Sequence, residues 1–213
     1  VRERRELILI LGGARSGKSR YAEQLAGRIA GDGPVLYIAT AEAHDAEMQA
    51  RIARHVAQRP AHWVTLEAPR HVDEAIRTAQ ATIPAPVILL DCITLLVTNL
   101  LLDDATLMDG EMVSPAAEER ASKRTITAID TLLAAYGDGT ASLIVVSNEV
   151  GMGIVPPYPL GRVYRDILGH VNARLAAAAD TVLLLFAGLP IEIKHLAAEW
   201  EAEATKRYDQ HDS

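Results

Sequence analysis

At 213 residues, 49% of them apolar and 23% charged, the chain has the length and composition of one compact α/β domain with a sizeable core, which excludes global disorder. A net charge of −7 excludes a broad nucleic-acid footprint, although a few local N–H groups and cations can still hold an anionic substrate. Cys92 is the only cysteine, which excludes an intrachain disulfide or a cysteine-rich metal site and fits a reducing cytoplasm.

Short apolar runs alternate with helical patterns along the chain. Leu7 to Leu11 reads as a buried strand, too short for the core of a signal peptide, and a helix follows from about Lys18 to Ala30. Val35 to Ala39 is a second strand, followed by a helix from about Glu42 to Gln58 that Pro60 stops. His62 to Leu66 is a third, shorter strand, and His71 to Ala81 a third helix. Val87 to Leu90 is a continuous apolar strand ending at Asp91. Asp103 to Ser114 reads as a polar surface excursion, Pro115 to Tyr136 as a helix and Leu143 to Val146 as a strand. A loop from Asn148 to Pro159 leads into a helix over Gly161 to Ala178, and the strand Thr181 to Phe186 closes the series. No apolar run reaches the roughly 18 residues of a membrane span. Continuous apolar strands separated by helices predict a P-loop NTPase-type, RecA-like fold: a mainly parallel sheet with helices on both faces. Residues 1–194 form the expected single domain, and 195–213 a charged helical tail.

Gly12-Gly13-Ala14-Arg15-Ser16-Gly17-Lys18-Ser19 fits the phosphate-loop pattern of Gly, any four residues, then Gly-Lys-Ser. It stands where the chemistry requires, after an apolar strand and at the opening of a helix. Its glycines let the backbone wrap a phosphate, the helix start adds positive dipole, and Lys18 adds a mobile charge for the β and γ phosphates. Ser19 is the expected magnesium ligand. Asp91, ending a buried strand, is the expected second one, through water; a helix-cap aspartate is the alternative. The Asn-Lys-x-Asp guanine reader of switch GTPases is absent.

On the second helix Arg51, His55 and Arg59 follow at i, i+4 spacing and share a face. A solvated face following the helix dipole explains them, and so does a histidine nucleophile between phosphate-binding arginines. At pH 7 an unperturbed imidazole is roughly three-quarters neutral and able to attack an α-phosphate. Glu67, just past the third strand, is either an exposed strand-end acid or a reader of guanine, accepting from N1–H and the exocyclic amine.

Taken together, Gly12 to Ser19, Tyr37-Ile38-Ala39-Thr40, Arg51-Ile52-x-x-His55 with Arg59 and Trp63, Asp91-Cys92-Ile93-Thr94 through Thr98-Asn99, and Asn148-Glu149-Val150-Gly151-Met152-Gly153-Ile154-Val155-Pro156 resemble one family in order and content. It is the bifunctional adenosylcobinamide kinase/adenosylcobinamide-phosphate guanylyltransferase family of cobalamin biosynthesis, and the resemblance covers about Leu7 to Lys194. It implies ATP- or GTP-dependent phosphorylation of the aminopropanol hydroxyl of adenosylcobinamide. Guanylylation of a histidine by GTP and GMP transfer to adenosylcobinamide phosphate follow. By motif position His55 is the implied guanylylated residue, and the phosphate loop, Ala39, Thr40, Arg59, Glu67 and Asp91 the implied GTP contacts. The resemblance also implies a compact homo-oligomer, a trimer. Arg54 stands where some relatives carry a second histidine, so His55 is the one candidate on that helix.

Asn148 to Pro156 is the possible substrate loop, with Asn148, Glu149, Gly151 and Gly153 as its marked residues. Glu149 reads as a kinase base, as a holder of a magnesium-bound water, or as a turn-stabilising carboxylate. Without the resemblance, a nucleotide-gated binding module or an unrelated small-molecule kinase would also satisfy the loop.

Overall fold

The computed structural model describes residues 5–42, 59–108 and 112–200. The helix expected from Glu42 to Gln58, with Arg51, Arg54 and His55, lies outside the described residues apart from Glu42 itself, as does the tail beyond Trp200. Among the described residues there are seven strands: β1 (Leu7–Gly12), β2 (Val35–Ala39), β3 (Val64–Glu67), β4 (Val87–Asp91), β5 (Ser142–Asn148), β6 (Thr181–Phe186) and β7 (Leu189–Glu192). With them are the helices α1 (Lys18–Ala30), α2 (Val72–Thr82), α3 (Ile93–Leu102), α4 (Pro115–Gly137) and α5 (Pro159–Ala178).

The strands form one sheet in the order β3-β2-β4-β5-β1-β6-β7. Every pairing is parallel except the antiparallel β6–β7 hairpin. The phosphate-loop strand β1 is separated from the Asp91 strand β4 by β5, which is the RecA-like arrangement. Apolar side chains alternate between two cores, one on each face. Leu9, Leu36, Leu90 and Val145 meet α2, α3, α4 and α5, whereas Ile8, Ile10, Tyr37, Leu89 and Val146 meet α1 through Ala22 and Ala26. Strands buried on both faces carry no polar alternation, and β1, β4 and β5 read as continuous apolar runs for that reason.

Two elements depart from the sequence expectation. Helix α3 fills the gap left after Asp91. Six of its ten residues are buried, so the apolar character runs all round it and no one-sided 3.6-residue stripe announces it. Strand β7 continues a series expected to end at Phe186. Ala187 (φ 52) and Gly188 (φ 83) form the two-residue link, with positive φ at both positions as a tight hairpin turn demands. Pro190 is tolerated in β7 because the strand lies at the sheet edge.

The surface excursion after α3 contains a core anchor, since Leu107 is 2% exposed. At the far end, residues 193–200 are helical. Lys194 lies inside that helix and donates to the carbonyls of Ala176 (3.0 Å) and Ala179 at the end of α5, a favourable place for a cation.

Candidate nucleotide site

The site is assembled at the C-terminal edge of the sheet, where an open α/β fold binds its ligands. Gly12 closes β1 with no room for a side chain: a Cβ there would come within 2.5 Å of Ser16 Oγ and 2.8 Å of the Leu185 carbonyl. Gly17 caps α1 in the left-handed region at φ 90, with no side-chain cap and no acidic residue in the first turn. By contrast, α4 opens on Ser114, whose hydroxyl accepts from the Ala117 N–H at 3.2 Å. The first N–H groups of α1 are thus left for an anion, and Ser16 Oγ is buried without a hydrogen-bond partner beside them. Gly13, Ala14 and Arg15 are exposed at the mouth. Lys18 Nζ folds back to the Gly13 carbonyl at 3.0 Å. Burial lowers the lysine's proton affinity, and Asp91 acts in the opposite direction.

Register places the other candidates in rows on the α1 face. Glu67, Ala39 and Asp91 are aligned across β3, β2 and β4, and Thr65, Tyr37 and Leu89 form the row two residues earlier. The small Ala39 leaves space between two carboxylates separated by roughly 10 Å, two strand intervals. Glu67 is exposed and Asp91 half-buried.

Tyr37 donates its hydroxyl proton to Asp91 Oδ2 at 2.8 Å, and Oδ1 accepts no hydrogen bond from a described residue. The Arg59 guanidinium covers the Tyr37 ring at 3.3 Å from its centroid and donates through Nη1 to Thr65 Oγ1 at 3.1 Å. Glu23, on α1, faces this group. Burial raises its carboxyl above the ordinary range, the Arg59 charge opposes that shift and the Asp91 charge adds to it.

Thr40, an expected nucleotide contact, stands at the end of β2 beside the site. It is fully buried and its polar groups are all used within the protein. Its hydroxyl donates to the Cys92 carbonyl at 2.7 Å and accepts from the Cys92 N–H at 2.8 Å. Its N–H donates to the Asp91 carbonyl, and its carbonyl accepts from Asn99 Nδ2 at 2.8 Å. Thr40 clamps the end of β2 to the cis Asp91–Cys92 peptide. Cys92 is half-buried there, and desolvation pushes its thiol up to about 11, far from a reactive thiolate.

The motif Asp91 to Asn99 works largely as a fastener. Asn99 Nδ2 also donates to the Pro69 carbonyl at 2.9 Å, and Thr94 Oγ1 accepts from the Asn148 N–H at 2.8 Å. Asn172, on α5, donates to the Asn148 carbonyl at 2.9 Å and accepts from Ser147 Oγ at 2.6 Å.

Of the loop candidates, Glu149 donates its N–H to the Gly12 carbonyl at 3.1 Å, which joins this loop to the phosphate loop. One of its carboxylate oxygens accepts from the Gly151 N–H at 2.6 Å, the turn-stabilising arrangement. Asn148 contributes backbone groups to the fastener, while Gly151 and Gly153 are exposed. Sequence reading missed Tyr37 and Asn172 as site-building residues. Tyr37 was visible only as part of a motif, because its tie to Asp91 is made across strands.

Ser19 is half-exposed in the first turn of α1. Ser19 and the free oxygen of Asp91 suit a hard cation, which takes oxygen ligands and retains water. Among the described residues no cluster of three or more His, Cys, Asp or Glu could hold a metal by itself. No helix among the described residues is long and apolar enough to cross a membrane.

The description "Cobinamide kinase / cobinamide phosphate guanyltransferase" matches residues 8–193. The chain is 51% identical over 189 residues to the bifunctional adenosylcobalamin biosynthesis protein CobU of Salmonella typhimurium, covering 88% of this chain and 99% of that protein. It is 47% identical to the protein of the same name from Escherichia coli, over 88% of this chain and 99% of that one. To CobP of Pseudomonas aeruginosa it is 44% identical, over 87% and 96% respectively. The flagellar accessory protein FlaH of Methanocaldococcus jannaschii aligns over 87% of this chain and 74% of its own at 15% identity and a TM-score of 0.43, too distant to inform the site. With a phosphate loop on β1, a carboxylate on β4 and relatives matched over nearly their whole length, this chain belongs to the cobinamide kinase/cobinamide phosphate guanyltransferase family.

Proposed function

We propose that the protein phosphorylates the aminopropanol hydroxyl of adenosylcobinamide with ATP or GTP. It then transfers GMP from GTP, through a guanylyl-histidine at His55, to give adenosylcobinamide-GDP. The observation that carries this reading is the open, uncapped start of α1 under Lys18, in a chain whose family match runs from residue 8 to 193. In the first reaction the loop N–H groups and Lys18 hold the β and γ phosphates and stabilise the charge that develops on transfer. Ser19 and Asp91 would hold Mg2+, which neutralises phosphate charge when bound.

In the second reaction the α-phosphate is the electrophile and pyrophosphate leaves. Arg59, the residue four places after His55, stands on Tyr37 beside Asp91 and is suited to steady the α-phosphate, with Arg51 as its partner on the nucleophile's helix. Glu67 is the proposed guanine reader, and Ala39 supplies the gap through which the nucleotide crosses. Met152, Ile154 and Val155, which are 79%, 97% and 56% exposed, offer an apolar surface beside the loop for the bulky second substrate. Glu149 remains a kinase-step candidate through its second carboxylate oxygen. The proposed setting is the cytoplasm, with the enzyme as a homotrimer.

Incubation with α-labelled GTP and Mg2+ tests the reading. Acid-labile, base-stable label is expected on the parent protein and none on His55→Ala. Equal labelling of that variant removes His55 as nucleophile. Lys18→Ala is expected to lose both reactions, and survival of either refutes a shared phosphate loop.

A further inference from the structure

We propose that Tyr37 is a positioning residue that sets Asp91 and Arg59 against each other, its hydroxyl fixing the carboxylate and its ring carrying the guanidinium. The proposal rests on the reading of Asp91 as a metal carboxylate.

Tyr37 lies opposite Leu89 on the neighbouring strand, so Asp91, two residues further along β4, is its diagonal partner on the same face. Aromatic side chains reach such partners across a sheet. Here the reach ends in a hydrogen bond of 2.8 Å to Oδ2, which takes one carboxylate oxygen and leaves Oδ1 without a described donor. On the opposite side Tyr37 pairs with Thr65, the residue that accepts from Arg59 Nη1. The ring therefore supports Arg59 from below while Thr65 fixes its azimuth. A guanidinium 3.3 Å from a ring centroid is in cation–π contact.

Tyr37 is only 3% exposed, and its hydroxyl donates to Asp91 Oδ2 rather than to solvent. A core-filling role alone would need the ring and not the hydroxyl. The hydroxyl instead meets the one carboxylate on this face that lies near Lys18. Tyr37 thus ties together a group proposed for the metal and a group proposed for the α-phosphate.

The two functions separate by substitution. Tyr37→Phe keeps the ring under Arg59 and frees Asp91, whereas Tyr37→Leu removes both supports. The measurement is Mn2+ binding by electron paramagnetic resonance to the full chain holding the non-hydrolysable analogue guanosine 5′-(β,γ-imido)triphosphate. Affinity for the metal-free analogue is measured alongside, with Asp91→Asn as the reference.

Tyr37→Phe is expected to weaken Mn2+ binding about three- to tenfold and to leave metal-free analogue affinity within about twofold of the parent. Tyr37→Leu is expected to weaken both. Parental Mn2+ affinity in Tyr37→Phe, where Asp91→Asn is weakened, overturns the proposal and leaves the metal reading standing. Parental Mn2+ affinity in Asp91→Asn overturns the metal reading and the proposal with it. An equal loss of metal-free analogue affinity in Tyr37→Phe shows a merely structural role and also overturns it.

Discussion

Glu23 occupies an electrostatically contested position. Burial disfavours its charge, Arg59 favours it and Asp91 disfavours it, and the net result is a carboxyl held above the ordinary range in the folded protein. A folded-state value above the unfolded one means that its contribution to stability is complete below the ordinary glutamate range and is lost as pH rises through the raised value. Glu23→Gln is therefore expected to melt higher than the parent at pH 8, the difference closing below about pH 4. Thermal melts across that range check it, and a constant offset at all pH values refutes the electrostatic cause. Thr40 provides a second residue-scale test. Thr40→Val preserves shape but leaves the Cys92 N–H without its acceptor, while the Cys92 carbonyl keeps the Leu96 N–H, at an expected cost of about 1–3 kcal/mol in chemical denaturation. At this scale the phosphate loop and Asp91 were legible because their spacing to a strand end carries the chemistry. Thr40 and Tyr37 were not, because their roles are made by cross-strand pairing that no local pattern encodes.

Helix ends separate structural from functional design among the elements. Helix α4 opens with Ser114 and Pro115, a stop-and-start signal readable in the sequence, whereas α1 opens on Gly17 with nothing to satisfy its amides. Ser114→Ala is expected to cost about 1 kcal/mol of stability without change in nucleotide affinity.

The β6–β7 hairpin supports the phosphate loop from its other side. Gly188 donates its N–H to the Ser16 carbonyl at 3.0 Å, and a Cβ on Gly17 would lie 3.6 Å from Gly188 Cα. At φ 83 Gly188 occupies backbone space that a β-branched residue resists. Gly188→Val is expected to weaken nucleotide binding by displacing the loop, although position 188 lies outside the phosphate-loop motif. Calorimetric titration with GTP checks the pair, and unchanged affinity in Gly188→Val would dismiss the hairpin as a support. The hairpin was hidden from sequence reading because Leu189-Pro190-Ile191-Glu192 is short, exposed and interrupted by proline. Helix α3 was hidden for the opposite reason, being apolar on every side.

Across the whole molecule, the strand order arranges the proposed nucleotide contacts in a line. Glu67 stands on β3, Asp91 two strands along on β4 and the phosphate loop two further on β1, which sets the guanine reader about 19 Å from the loop at ordinary strand spacing. On the proposed reading, a nucleotide engaging both ends lies extended across the C-terminal edge, with its α-phosphate between the phosphate loop and Arg59. On the same proposed reading, the γ-phosphoryl step requires only the loop end of this line, whereas guanylyl transfer requires all of it.

Glu67→Ala should therefore split the two activities. Guanylylation of the protein from α-labelled GTP is expected to fall at least about tenfold, the order of discrimination lost when a base-reading hydrogen-bond pair is removed. ATP-driven phosphorylation of cobinamide is expected to stay within about twofold, since a single exposed side chain distant from the loop should cost it little. Equal losses in both reactions would mean that one base position serves both, and the extended arrangement across the sheet edge would then be wrong.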